Sequence, residues 1–223
     1  MYDELQEIAI SSGITLFGVG YIDDLRPHFD ALPLEQTEGL SYGISIGVRL
    51  SDPVLDGIKT GPTHHYLHHY RMVNMLLDQT ALRLSLAIQG RGYNAMPIPA
   101  SQIIDWQRQI AHLSHKMIAL RAGMGWIGRN NLLVHPEYGS RIRLATILTD
   151  MPLRVDEPLN DGSCGDCRLC IEACPVSAIK ETHKEWDKEA CLERLRSYTK
   201  THNIGQYICG LCVKVCRPKG LKG

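Results

Sequence analysis

The chain has 223 residues, 24 Lys plus Arg against 24 Asp plus Glu, and so no net formal charge. That length suits one ordinary domain with a small appendage, since a segment of about 60 residues rarely stabilises itself without a staple such as metal. Binding to nucleic acid draws on a surplus of Lys and Arg to neutralise phosphates; with no surplus here, nucleic acid is not an expected partner. The amphipathic, acidic opening MYDELQEIAI is neither a secretory leader nor a membrane span, so a cytoplasmic protein without a membrane segment is expected.

In chain order, residues 3 to 12 set Leu5, Ile8 and Ala9 at helical spacing ahead of Gly13. ITLFGVGYI, from residue 14, reads as a strand, and SYGISIGVRL, 41 to 50, as a second. The stretch from Asp52 to Pro62 reads as loop and short helix. The longest helical pattern runs from about His65 to Gln89, with Leu67, Tyr70, Val73, Leu77, Leu82 and Leu86 as its apolar stripe and Gly90 as its stop. A further helix is expected over 106 to 121, then strands at Leu132 to His135 and Leu144 to Thr149. A Pro-rich link at Pro152 and Pro158 follows, which places a boundary between residues 1–154, an α+β cofactor or substrate domain, and 155–223. Short strands between long helices favour an α+β fold with helices packed on a mixed sheet.

All eight cysteines lie beyond residue 163. Cys164, Cys167, Cys170 and Cys174 form CGDCRLCIEACP, and Cys191 leads to CGLCVKVCRP with Cys209, Cys212 and Cys216. The first run is the C-x2-C-x2-C-x3-C-P pattern of bacterial ferredoxins, in which three thiolates hold one [4Fe-4S] cluster and the fourth reaches the other. Two interleaved clusters use every thiol: Cys164, Cys167, Cys170 and Cys216 for one, Cys174, Cys191, Cys209 and Cys212 for the other. Pro175 keeps the cysteine loop from continuing as helix. Disulfides call for an oxidising compartment, and zinc favours paired C-x2-C knuckles, so neither suits this pattern. With both clusters the net charge becomes about −4. The tail cations Lys214, Arg217, Lys219 and Lys222 read as a solvated end.

Two upstream features could carry chemistry. His64 with His68, and His65 with His69, stand at i,i+4 on one helical face, but without the glutamate of H-E-x-x-H; a histidine cluster at a helix start is the plainer reading. ALRAGMGWIGRNNLLVHPEYGSR, 119 to 141, combines Gly123, Gly125 and Gly128 with Trp126, Tyr138 and the donors Arg121, Arg129, Asn130 and Asn131. Its G-x-G-x-x-G spacing follows a helix rather than a strand, which argues against a dinucleotide site. Gly125, Trp126, Ile127, Gly128, Arg129 and Asn130 are the candidate cradle for a flat redox ligand; a glycine-rich turn packed against the cluster region is the alternative.

AGMGWIGRNNLLVHPEYGSRIRLATILTDMPL, CGDCRLCIEACPVSAI, CLERL and CGLCVKVCRP, in that order, resemble the core of the epoxyqueuosine reductase family from about Arg121 to Pro218, with fainter traces in GYNAMPIP. The resemblance implies two [4Fe-4S] clusters in a ferredoxin-like domain beside a cobalamin, on a domain similar to that of reductive dehalogenases, with electrons passing from clusters to cobalt. The family's proton-donor aspartate falls on Ala100 of MPIPASQI or, with the gap moved, on Gln109, and Asp105 is the nearby acid that could substitute. The family's helical-repeat region that helps hold tRNA has no counterpart after Gly223. The expected function is therefore an iron-sulfur reductase acting on a corrinoid or small-molecule substrate rather than tRNA, supplied by a ferredoxin or flavodoxin. A cobalamin-processing reductase and a non-catalytic electron carrier are the alternatives, and flavin is the second candidate cofactor.

Overall fold

The computed structural model describes residues Met1–Arg217; Pro218, Lys219 and Lys222 of the basic tail lie outside the described residues. In chain order the elements are α1 (Tyr2–Ser11), β1 (Leu16–Tyr21), α2 (Leu34–Thr37), β2 (Tyr42–Arg49), α3 (Asp52–Asp56), α4 (His64–Gln89), β3 (Ala95–Ile98), α5 (His115–Arg121), β4 (Trp126–Ile127), β5 (Leu133–Val134), β6 (Ile142–Thr149), α6 (Leu169–Glu172), α7 (Lys188–Thr201) and α8 (Leu211–Val215). The α+β class expected from the sequence is the class that forms. The residues gather into two compact units, neither a single stretch of chain: Met1–Val48, Val73–Met124 and Arg143–Leu159 make the first, while Arg49–Met72, Gly125–Ile142 and the residues from Asn160 onward make the second. Among the described residues, no helix is long and apolar enough to cross a membrane.

The first unit is organised by a four-stranded sheet in the order β1-β2-β6-β3. β1 and β2 pair antiparallel from Leu16↔Gly47 to Tyr21↔Tyr42, and β3 pairs antiparallel with β6 from Ala95↔Thr149 to Ile98↔Thr146. β3 was not among the expected strands because Pro97 sits inside it. Its place at the end of the sheet explains the tolerance, since a proline lacks only a donor that an edge strand can spare. At the opposite edge, a Cβ on Gly18 would lie 2.6 Å from Ala122 O, so glycine there lets the chain just past α5 close on β1. Ile22, Leu32, Leu40, Ile98, Leu113, Ile118 and Leu148 form an apolar cluster in this unit.

Two expectations need correction. In α4 the stripe holds through Val73 and Leu77, but Leu82 and Leu86 are 52% and 58% exposed, while Ala81, Leu84, Ser85 and Ile88 are buried instead. The larger leucines drew the reading off phase. The true face continues 77, 81, 84, 88, and buries Ser85 because its hydroxyl donates back to Ala81 O at 2.8 Å. The helix expected over 106 to 121 is only His115–Arg121. Upstream, Asp105 bridges to Ile110, its carboxylate accepts from the N–H groups of Gln107 and Arg108 at 2.9 Å each, and Gln109 takes φ 53°. An aspartate that satisfies its own turn competes with helix at that place.

The stretch read as a link is anchored. Asp156 Oδ2 accepts from the Val19 N–H and the Tyr2 hydroxyl, both at 2.8 Å, and the Asp156 N–H donates to Val19 O at 2.8 Å. Burial and this carboxylate together push the Tyr2 phenol up to about 12.

His115 ties the loop after β3 to the sheet. Its Nε2–H donates to Pro99 O at 2.9 Å, and its Nδ1 lies 2.8 Å from Thr146 Oγ1, a hydroxyl that can donate to the neutral ring. Burial pulls its pKa down to about 4. Because the folded value lies below the ordinary 6.5, the unfolded chain takes up the proton first as pH falls. The stability is complete above about pH 6.5 and drains away towards pH 4. Wild type should lose roughly 2 kcal/mol more than His115→Gln between pH 6.5 and 4.5 in urea unfolding. Parallel losses in the two proteins would contradict the neutral, buried ring.

Candidate metal centre

The second unit carries the cysteines, all eight of them free thiols. Cys164 and Cys167 sit in a tight turn closed by Cys167 N–H on Cys164 O at 3.0 Å, Cys170 lies in α6, and Cys174 just beyond it. Cys191 is on α7, whose start is capped by Asp187 accepting from Ala190 N–H at 3.0 Å. Cys209 precedes α8, Cys212 lies in it and Cys216 ends it. The thiols act on one another electrostatically. Burial pushes Cys170 up to about 11, with further upward pressure from Cys216, Cys164 and Cys167. Cys191 is pushed up to about 11 by burial and then by Cys209 and Cys174. Burial first, then Cys209, Cys191, Cys170 and Cys174, raise Cys212 well above the ordinary thiol value.

Among the described residues, no three His, Cys, Asp or Glu side chains are drawn together as around a single ion. Two sets of four thiols suit larger polynuclear groups, and backbone donors already face the sulfurs. Ala178 N–H donates to Cys174 Sγ and Ser140 N–H to Cys216 Sγ, each at 3.3 Å. Such donors are a main protein lever on cluster properties. The residues fit [4Fe-4S] groups.

The segment 49 to 72 braces these cysteines. Tyr198 on α7 donates its hydroxyl to Thr60 O at 2.8 Å, Lys214 donates to Ile58 O at 2.6 Å, and Arg217 pairs with Asp56 at 2.9 Å. Lys214 and Arg217 are thus structural ties rather than a solvated end. His64, His65 and His68 are exposed. His69 is half-buried, and its Nε2 accepts from Ser51 N–H at 3.0 Å, just ahead of α3. Burial, and then the charges of His65 and His68, lower its pKa.

The glycine segment is a hairpin against the cysteine loop. β4 and β5 pair as Trp126↔Val134 and Ile127↔Leu133, and a Cβ on Gly125 would lie 2.1 Å from Val134 O. A Cβ on Gly128 would stand 3.5 Å from Cys164 Sγ. Arg129 donates to Cys167 O and Gly165 O, both at 2.9 Å, and so holds the backbone of the first cysteine turn. Asn130 is buried and donates to Ser140 Oγ at 2.9 Å, steadying the residue whose N–H reaches Cys216. Trp126 packs on Gly162 and is half-buried. It lines a cavity of about 510 Å³ with Ile127, Arg129, Cys164, Glu181 and Lys184. It also borders one of about 330 Å³ with Val134, Pro136, Cys164, Cys167 and Cys216. The candidate cradle residues therefore lie beside the first cysteine set, several of them as its supports.

In the first unit, Asp105 is occupied by its own turn, and Ala100 is buried with its N–H on Asp78 Oδ1 at 2.8 Å. Arg143 donates to Ala100 O at 3.1 Å and to Asn74 Oδ1 at 3.0 Å, while Asn74 donates to Ser101 Oγ at 2.9 Å. Sequence reasoning missed this network around the loop after β3. Its signal was Asn74 and Asp78 at i,i+4, two polar residues flanking the apolar stripe of α4.

Residues 163–219 match the model of the 4Fe-4S double cluster binding domain. The epoxyqueuosine reductase of Synechococcus is 46% identical over 158 residues, which are 66% of this chain and 45% of that protein. That of Listeria monocytogenes is 36% identical over 112 residues, 47% of this chain and 29% of that one. This chain is similar in sequence to the epoxyqueuosine reductases over part of their length. It spans less than half the length of these two relatives. The structure of epoxyqueuosine reductase from Streptococcus thermophilus superposes with a TM-score of 0.62 at 22% identity, over 96% of this chain and 64% of that one. A catabolic reductive dehalogenase superposes with a TM-score of 0.74 at 19% identity, over 95% and 31%. The likeness to these two structures is one of fold.

Proposed function

We propose that the chain is an iron-sulfur reductase in which Cys164, Cys167, Cys170 and Cys216 hold one [4Fe-4S] cluster and Cys174, Cys191, Cys209 and Cys212 the other. The observation that carries this is eight free thiols inside a segment matching a double-cluster domain, with Cys216, Cys164 and Cys167 acting on Cys170 and Cys209 and Cys174 acting on Cys191. When bound, the clusters supply one-electron transfer at potentials set by charge, hydrogen bonds and exposure. The chain's own residues hold and shield them: Arg129 fixes the first cysteine turn, the Asn130–Ser140 pair aims an N–H at Cys216, and Tyr198 and Lys214 brace α7 and α8.

The electron donor is a ferredoxin or flavodoxin in the cytoplasm, and the acceptor a corrinoid, with flavin or a small-molecule substrate as the other choices. A corrinoid is supported by fold: a reductive dehalogenase structure described for B12-dependent dehalogenation superposes with a TM-score of 0.75 at 19% identity. Ala100 favours the corrinoid itself as the species reduced, because reducing a metal needs an electron and no proton donor, whereas forming a carbon–hydrogen bond needs both. The same residue, with the balanced side-chain charge, supports an acceptor other than tRNA. Trp126 and Arg129 are the ligand-facing candidates from the cradle.

Anaerobic titration of the cluster-reconstituted chain with hydroxocobalamin tests the reading. Saturable binding, followed by the visible change of cobalt reduction when a low-potential reductant is added, is expected, with affinity weakened in Trp126→Ala. Reversible bleaching of both clusters without any corrinoid binding would instead mark an electron carrier.

A further inference from the structure

Arg141 is a buried cation beside the first set of thiols. It is 2% exposed, and its backbone is fixed on both sides, its N–H on Tyr138 O at 3.3 Å and its carbonyl accepting from Leu50 N–H at 2.8 Å. The residue before it, Ser140, donates its N–H to Cys216 Sγ at 3.3 Å, and the residue before that, Gly139, lies directly against the Cys216 backbone. Removing a guanidinium from water costs several kcal/mol unless its charge is met nearby. Among the described residues the carboxylate that pairs with it is Asp52, and Asp52 is shared with Arg49 at 2.6 Å. Arg217, the residue after Cys216, pairs with Asp56 at 2.9 Å. Asp52 therefore faces two guanidiniums, those of Arg141 and Arg49. Arg141 Nε is itself buried with no hydrogen-bond partner. Near the other set, a charge of each sign acts on the thiols, Asp187 on Cys191 and Arg194 on Cys209.

We propose that Arg141 is the residue that holds the reduction potential of the cluster on Cys164, Cys167, Cys170 and Cys216 above that of its neighbour, so that the transferred electron rests there. This rests on the two-cluster reading above. Reduction adds one electron, taken from a low-potential donor protein or from dithionite in vitro, with no bond made and no proton taken up. The site becomes one unit more negative, and a fixed cation, together with the Ser140 N–H, stabilises that state over the oxidised one.

Redox titration of the full-length, anaerobically reconstituted protein, followed by electron paramagnetic resonance, provides the test. In Arg141→Gln one midpoint should fall, changing the reduced-to-oxidised ratio about tenfold at fixed potential, which is about 59 mV for one electron. The other midpoint should stay, and Arg141→Lys should keep the wild-type value. Asp52→Asn, which removes the opposing charge, should move the same midpoint upward. Iron per chain is measured first. A wild-type protein that takes up no clusters overturns the two-cluster reading and this inference with it. Normal iron with both midpoints unmoved in Arg141→Gln, or both moved equally, overturns the role of Arg141 alone. Should Arg141→Gln fail to fold, Asp52→Asn decides, its carboxylate being 30% exposed. A midpoint that stays or falls in that variant overturns the proposal.

Discussion

Cys216→Ser is expected to lose the cluster served by Cys164, Cys167 and Cys170 and to keep the one served by Cys174, Cys191 and Cys209, although Cys216 is only four residues from Cys212. Iron should fall from about eight to about four per chain, because each cluster carries four. The residual spectrum should match that of Cys164→Ser, while Cys174→Ser should match Cys191→Ser. The physical ground is the crossing of the two runs. Cys216 acts on Cys170 ahead of Cys164 and Cys167, and Cys174 acts on Cys191 and Cys212. A serine oxygen is a poor substitute for a thiolate on iron, and three thiolates leave one iron of a [4Fe-4S] group without its protein ligand. A Cys216→Ser spectrum matching that of Cys191→Ser would overturn the interleaving.

The second large effect is expected at Gly139, which takes φ 63° in the turn after β5. A Cβ there would lie 2.0 Å from Cys216 O, a backbone atom rather than a mobile side-chain end. Gly139→Ala therefore adds a displacement of the Cys216 main chain to the ordinary strain of a left-handed non-glycine residue, about 1 kcal/mol. The expected loss is about 3 kcal/mol, or roughly 6–12 °C in Tm for a chain of this size, together with reduced iron content. Gly92→Ala is the matched control, since Gly92 takes φ 84° with nothing within 4 Å of its Cβ. Strain alone should then appear, about 1 kcal/mol without loss of iron. Equal effects at the two glycines would mean that the turn does not press on Cys216.

Much of the metal centre was legible because its chemistry is written at short range. Three ligands to one group must sit within a few residues of each other, so the spacing of Cys164, Cys167 and Cys170, with Cys174 just beyond, survives as a pattern. The strands at Leu16–Tyr21 and Tyr42–Arg49 were legible because β-branched residues and glycines alternate there. Two other elements were not. β3 hid behind Pro97, whose missing donor matters only if another strand lies on that side. The second half of α4 was misread because Leu82 and Leu86 outweigh Ala81 and Ser85 in hydrophobicity, while the face that is buried runs through Leu77, Ala81, Leu84 and Ile88. The expected helix from residue 106 gave way to the Asp105 turn for a local reason that hydrophobic spacing does not record.

The cradle shows the same division. Gly125 to Asn130 stood out as glycines and donors without an assigned target, and a flat ligand and a packed turn were equally consistent with those residue types. Partners far away in sequence gave them specific duties: Arg129 holds the carbonyls of Gly165 and Cys167, and Asn130 holds Ser140. Arg141 offered no signal at all, since its meaning depends on Asp52, Cys216 and burial together. By itself the sequence determined the eight ligand candidates, the double-cluster segment that contains them, and the α+β class, all of which follow from spacing along the chain. The tertiary structure alone decided which polar residues support the thiols, and that the stretch 49–72 joins the cysteine unit. Hydrogen bonds and buried charges are made between residues brought together only by folding, and no local pattern encodes their distance.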